Sequence, residues 1–485
     1  MADEKAQYIT LSHCWGNNSA TTTTTGKTIA QHYRSISLAK LPKTFREAVE
    51  IIRALGFRYL WIDSLCIIQD DKKDWEIESA KMAGIYRESI LTIAATASAD
   101  SNGGFFFNRW SPSDKGYKVD LETFELHGTF AGTDITVYVR PRLDHGHDVF
   151  SGHFATKEYA PLLSRAWVYQ ERMLAPRTLH VHVEEMFWEC KACTMCECGH
   201  LFWRQQRSTR DQVDPAGQSY VPNTFTLKSN IARAIDLPMA AEVVHRLWAA
   251  AVGEYSALAL TKESDRFPAL SGLAGLFSQK LQTQYLAGLW GNDLVSGLLW
   301  FYEHDFIATR RYRDKSSNFP SWSWASLIRN QLDKENESNV NNLRYDINME
   351  NVTVDTRLKI LQASCEVIGF NPFGEVSGGT IIIEGALIIA KLEVSEEFPL
   401  LKPLLTFQAE SSTLMLDVCG TEEHREVSNG EMASCLLLAA SKYGARALVL
   451  KSVGSDNTYR RVGLLRLEEH QGWFDGILPT AIHII

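Results

Sequence analysis

Along residues 8–96, short apolar runs alternate with amphipathic stretches at a nearly constant spacing. Residues 8–11 (YITL), 59–63 (YLWID) and 91–96 (LTIAAT) are compact and rich in β-branched or aromatic side chains, which predicts strands. Between the first two, Phe45, Ala48, Val49, Ile52 and Leu55 keep helical spacing, with Pro42 just before them and Gly56 as the stop. Residues 74–87 predict a second helix, with Asp71 and Asp74 as candidate caps at its positive dipole end. Strand, helix, strand, helix, strand implies a parallel sheet with helices packed against it. Ligands of such sheets bind at the carboxyl ends of the strands. Ser12, His13 and Trp15 after the first strand, Asp63 at the end of the second, and the first turns of the second helix are therefore expected on one edge.

Within that second helix, Trp75, Glu78, Met82, Ile85 and Ser89 fall on one 3.6-residue face. A carboxylate inside a largely apolar stripe needs a partner or a task. One reading makes Glu78, walled by Trp75, a chemical group; the other makes it half of a buried ion pair with Arg165 or Arg177. Arg165 suits bidentate pairing with a carboxylate or a phosphate. Asp63 either binds a ligand hydroxyl or caps the turn after its strand. Ser12 and His13 either contact phosphate or base, or close a hydrogen-bonded turn.

Further along, residues 162–171 predict a helix, and 135–139, 178–183 and 185–189 predict strands. Residues 208–225 read as a polar loop, 231–260 as helix broken near Pro238, and 267–286 as helix. Residues 318–326 form an aromatic strand or turn, and 330–355 are Asn-rich, a linker or long loop. From 358 on, seven short runs predict a sandwich or open barrel. The expected class is α/β: a parallel-sheet N-terminal domain over 1–205, a helical region over 206–330 and a mostly-β C-terminal domain over 331–485. A chain of 485 residues is too long for one core.

Charge and cysteine usage narrow the function. A formal charge of −9 argues against nucleic acid as the main partner. No apolar run is long enough to span a bilayer, and residues 1–11 do not read as a secretory signal, so a cytoplasmic site is expected. Of nine cysteines, Cys190, Cys193, Cys196 and Cys198 lie together, with His200 close behind. CxxC spacing can chelate zinc, but one tight cluster without a distant second pair is not the usual zinc layout, and no metal is assigned. Walker, GxGxxG, GxSxG and HExxH motifs are absent.

The runs YITLSHCWG (8–16), LPKTFREAVEIIRALGFRYLWIDSLCIIQDD (41–71), DWEIESAKMAGIY (74–86) and RAWVYQERMLAPR (165–177) resemble, in order and spacing, the fungal heterokaryon incompatibility (HET) domain. FWECKACTMCECG (187–199) and PSWSWAS (320–326) look like segments that often flank it. His13 stands where the family often has Tyr, and Glu47 where it often has Asp. The resemblance implies an effector of fungal self/non-self recognition and programmed cell death. HET domains have been considered remote relatives of TIR domains, many of which cleave NAD with a glutamate on a helix after a parallel strand. It therefore implies a TIR-like (flavodoxin-like) first domain and a NAD(P)-cleaving glycohydrolase with Glu78 as catalytic residue. Ser12, His13, Trp15, Asp63, Trp75 and Arg165 would bind the nucleotide. No cofactor is required, because NAD is itself the substrate. The alternative is a non-enzymatic module of incompatibility that self-associates or binds an incompatibility partner protein.

Overall fold

The computed structural model describes residues 5–16, 22–107, 124–139, 160–183, 185–199, 227–302, 311–313, 318–329, 343–345, 353–393, 403–408, 410–418, 426–441, 444–454, 457–467 and 472–485. The expected loop at 208–225, His200 and most of 330–355 lie outside them. The chain divides into two compact units, Met1–Arg233 and Ala234–Ile485.

In the first unit the alternating pattern becomes a six-stranded mixed sheet. Its strands are Tyr8–Ser12 (β1), Tyr59–Trp61 (β2), Leu91–Ala94 (β3), Arg177–Val181 (β4), Met186–Cys190 (β5) and Thr194–Cys196 (β6). Their order is β2-β1-β3-β4-β5-β6. The first four run parallel, and β5 and β6 turn back antiparallel. The helices are Lys43–Ala54 (α1), Lys72–Glu88 (α2) and Ala166–Leu174 (α3).

Both faces of β1 are covered, as a parallel sheet demands. Ile9 and Leu11 are buried on one face with Phe45, Ala48 and Ile52 of α1. Thr10 and Ser12 alternate to the other face. There Tyr8 Oη donates to the Ile85 carbonyl at 2.7 Å, tying β1 to α2. Asp71 caps α2, its carboxylate accepting from Lys73 N (2.9 Å) and Asp74 N (3.2 Å). Asp74 accepts from Ile68 N instead, at 2.8 Å, and so holds the loop before the helix. Residues Phe124–Phe130 and Thr133–Val139 form a separate hairpin.

The buried residues of α2 are Ser79, Met82 and Tyr86. Met82 buries as the stripe through Glu78 requires, while Trp75, Glu78 and Ile85 are only part-buried. Glu78 stays part-exposed, where Lys81 can reach it at 2.7 Å, which avoids burying its charge.

The second unit begins with helices Ala241–Tyr255 (α4) and Ser271–Leu281 (α5). The helical stretch expected around Pro238 is indeed broken there, between Leu227–Asp236 and Ala241–Tyr255. Its β region is built on Val376–Glu393 (β7), Leu404–Phe407 (β8), Glu410–Leu416 (β9), Met432–Ser441 (β10), Gly444–Ser452 (β11) and Thr458–Leu467 (β12). β7 pairs with β10, then β10 with β11, β11 with β12, β12 with β9, β9 with β8, and β8 with β7 again. The pairings therefore close into a ring rather than leaving the open edges of a sandwich or open barrel, which removes unpaired backbone groups. Leu405, Leu414, Cys435, Ala447, Val449 and Leu465 are among the buried side chains of its core.

Candidate functional site

The candidate residues come from four places: the turn after β1, the short helix Asp63–Cys66 after β2, the first turns of α2, and Arg165 at the start of α3. The turn after β1 is held by backbone geometry. Gly16 has φ +80°, and a Cβ there would collide with Asp100, so a side chain cannot be accommodated.

Asp63 is the hub. Its Oδ1 accepts from Ser64 N at 2.7 Å and its Oδ2 from Trp15 Nε1 at 2.8 Å. His13 Nδ1 lies 3.7 Å from Asp63 Oδ1. Burial pushes the His13 pKa down to about 4, and the Arg165 charge adds to this, while Asp63 opposes it. His13 is thus a neutral imidazole near pH 7, packed edge-on against Phe45 with ring centres 4.8 Å apart. Its buried Nε2 has no hydrogen-bond partner among the described residues. Arg165 Nη1 donates to the His13 carbonyl at 2.6 Å, so the guanidinium braces the turn.

Below this lies a carboxylate that the sequence reading did not single out. Glu171 is 5 % exposed, and Ser12 Oγ donates to its Oε2 at 2.5 Å. Burial, reinforced by the negative charge of Asp63, raises its pKa to about 7; the Ser12 hydroxyl, Arg165 and the Tyr86 hydroxyl pull the other way. Tyr86 Oη also donates to the Leu11 carbonyl at 3.2 Å. A signal was available in the sequence: Glu171 sits between apolar runs on both sides, in a helix buried almost all round. Its partner Ser12 is 159 residues away, which no local pattern connects.

The rim above is aromatic and part-exposed. Trp75 and Trp167 meet edge to face at 6.2 Å. The Glu78 side chain is 24 % exposed and its described ion pair is with Lys81. Although much of Cys66 is exposed, burial of its thiol raises its pKa, and the carboxylates of Asp63 and Glu78 add to the rise. Arg165 and Arg177 donate to the carbonyls of His13 and Ile90.

Residues 8–171 match the family model for heterokaryon incompatibility proteins (HET). The chain carries a HET domain. The match takes in Ser12, His13, Trp15, Asp63, Trp75, Glu78 and Arg165, and its last residue is Glu171. It assigns the domain a role in heterokaryon incompatibility. No curated protein and no solved structure matches the chain. No helix among the described residues is long and apolar enough to cross a membrane.

A second buried carboxylate lies beyond the end of the HET match. Glu189 on β5 is held by Arg172, whose Nε lies 2.9 and 3.1 Å from its two oxygens and whose Nη2 lies 2.8 Å from Oε1. Lys228 Nζ stands 3.8 Å away and His180 Nε2 3.5 Å. Burial opposes its charge, but Arg172 and then Lys228 outweigh it and hold the carboxyl well below its usual range. In the second unit, a cavity of about 350 Å³ is lined by residues that include Glu242, His245, Trp248, Trp290, Asp293 and Tyr345.

Proposed function

We propose that the HET domain cleaves NAD(P) at the nicotinamide–ribose bond, with Glu78 as the catalytic carboxylate, and that this is the effector step of incompatibility and cell death. The observation that carries the reading is the part-exposed Glu78, three residues along α2 from Trp75, whose ring meets Trp167 edge to face. The strand order supports it. β1 between β2 and β3 is the order of flavodoxin-like sheets, and so supports a TIR-like domain whose ligand crevice opens beyond β1 and β3.

In the reaction the C1′–N bond breaks and its electron pair leaves with nicotinamide, whose ring charge is thereby neutralised. Glu78 stabilises the ribosyl cation through its negative charge or orients the 2′ and 3′ hydroxyls. Water adds at C1′ and releases a proton. Trp75 and Trp15 wall the nicotinamide ring. Asp63, Ser12 and His13 hold ribose and phosphate oxygens, the neutral His13 through hydrogen bonding rather than charge. Arg165 offsets the phosphate charge. The leaving group is already cationic, so the chemistry asks for no metal. The reading has the domain acting in the cytoplasm.

A non-enzymatic module that self-associates or binds an incompatibility partner is the second reading, and one observation favours it: Lys81 already pairs with Glu78. Incubating the purified full chain with NAD over a rising series of protein concentrations separates the two. Nicotinamide release that grows with chain concentration is expected. A folded, concentrated chain that leaves NAD intact would instead support the second reading.

A further inference from the structure

We propose that Glu185, Cys196 and Cys198 form a binding site for a thiophilic divalent cation, zinc foremost, on the β5–β6 hairpin. The four clustered cysteines do not make one site. In the hairpin register Phe187 faces Cys196, Trp188 faces Met195 and Glu189 faces Thr194. Cys190 and Cys193 then flank the turn, where Cys190 N donates to the Cys193 carbonyl at 2.9 Å and their sulphurs lie 3.8 Å apart. Cys196 is three residues further along its strand, roughly 10 Å away at about 3.3 Å per residue. The CxxC pair and the CxC pair therefore serve opposite ends of the hairpin.

At the second end a carboxylate joins the thiols. One ligand atom from each of Glu185, Cys196 and Cys198 lies within 4.8 Å of the other two. Cys198 Sγ is 3.2 Å from Cys196 Sγ and 3.6 Å from Glu185 Oε1. A tetrahedral zinc ion, at about 2.3 Å from sulphur and about 2.1 Å from oxygen, sets ligand separations of about 3.8 Å between sulphurs and about 3.6 Å from sulphur to oxygen. The oxygen separation already fits, and the thiols need to spread by about half an ångström.

The frame around the three is fixed by its own hydrogen bonds. Glu185 is 0 % exposed, and its Oε2 accepts from Cys198 N at 3.0 Å, which aims the other oxygen at the thiols. Glu197 Oε2 accepts from Met186 N at 2.9 Å, and Gly199 N donates to the Cys196 carbonyl at 2.9 Å. Such outer contacts orient metal ligands and tune their affinity. Two thiolates with one carboxylate select zinc over the hard cations magnesium and calcium, which prefer all-oxygen shells.

The test uses the full chain purified under reducing conditions. Its zinc content is measured by elemental analysis, the metal is stripped with a chelator, and cobalt(II) is titrated back. One equivalent of bound metal is expected. Cobalt should give the thiolate-to-cobalt charge-transfer band of a sulphur-ligated ion and the strong visible bands of four-coordination. Cys196→Ser and Cys198→Ser should each weaken binding by more than the roughly 10- to 100-fold that loss of an outer contact costs. Glu185→Gln should weaken it while keeping the charge-transfer band. The double variant Cys190→Ser/Cys193→Ser should keep both metal and spectrum, and circular dichroism checks that every variant is folded. No cobalt spectrum in a folded, fully reduced chain overturns the proposal. So does binding that survives in Cys196→Ser/Cys198→Ser but fails in Cys190→Ser/Cys193→Ser.

Discussion

Glu171 and Glu189 are both fully buried carboxylates of the first unit, 18 residues apart in sequence, and they are held in opposite states. Glu189 receives two cations and a histidine, and its proton affinity falls well below the usual range. Glu171 receives two hydroxyls, a more distant arginine and a neighbouring carboxylate, and its pKa rises to about 7. A buried charge that is fully matched holds elements together. A buried acid whose pKa is raised by burial first, with a like charge adding to it, is an arrangement that chemical sites use. The difference separates a structural knot around β5 from a site at the end of β1, inside one small sheet.

The sharpest way to break the comparison is to unmatch Glu189. Arg172→Met leaves its charge buried with only Lys228 and His180 near it, and should destabilise the first unit by about 3–5 kcal/mol. Chemical denaturation checks this; a loss under about 1 kcal/mol would mean that Glu189 is not held as a charge.

Glu171 should answer in a different currency, pH. Its folded pKa lies above the unfolded value, so the fold holds a proton that the unfolded chain has released between about pH 4.5 and pH 7. Its share of the stability is favourable at low pH and falls as pH rises through that window. Glu171→Gln removes the effect. Relative to the parent, the variant should gain about 3 kcal/mol between pH 5 and pH 8. Equal pH profiles for the two proteins would contradict the raised pKa.

The smallest effect concerns the rim. Lys81 is 60 % exposed, and breaking its pair with Glu78 by Lys81→Ala should cost under about 0.5 kcal/mol. NAD turnover should persist, because Lys81 has no part in the proposed chemistry beyond pairing with Glu78. Loss of turnover with stability unchanged would make the ion pair part of the site.

Much of this was legible in the chain. The opening βαβαβ order followed from period alone, since Ile9, Leu11, Phe45, Ala48 and Ile52 all bury as the spacing requires. The seven C-terminal runs became strands within a few residues of their expected bounds. Their closure into a ring was not legible, because ring closure depends on which strand β7 meets along each edge of its second half. The structure joins Trp15 and His13 to Asp63, Ser12 to Glu171, and Arg165 to the His13 carbonyl. Glu78 stays part-exposed beside Lys81, which a count of apolar residues does not register. Glu171 was hidden for the opposite reason. Its environment is made by β1, the loop after β2, and α2, none of which is near it in sequence.

The most direct test is Glu78→Gln in the full chain, assayed at the protein concentration where the parent consumes NAD. The substitution keeps size and one acceptor oxygen and removes the charge. The account predicts a folded protein with unchanged denaturation, no nicotinamide release and no toxicity when expressed. A folded Glu78→Gln chain that turns NAD over at the parental rate would contradict it.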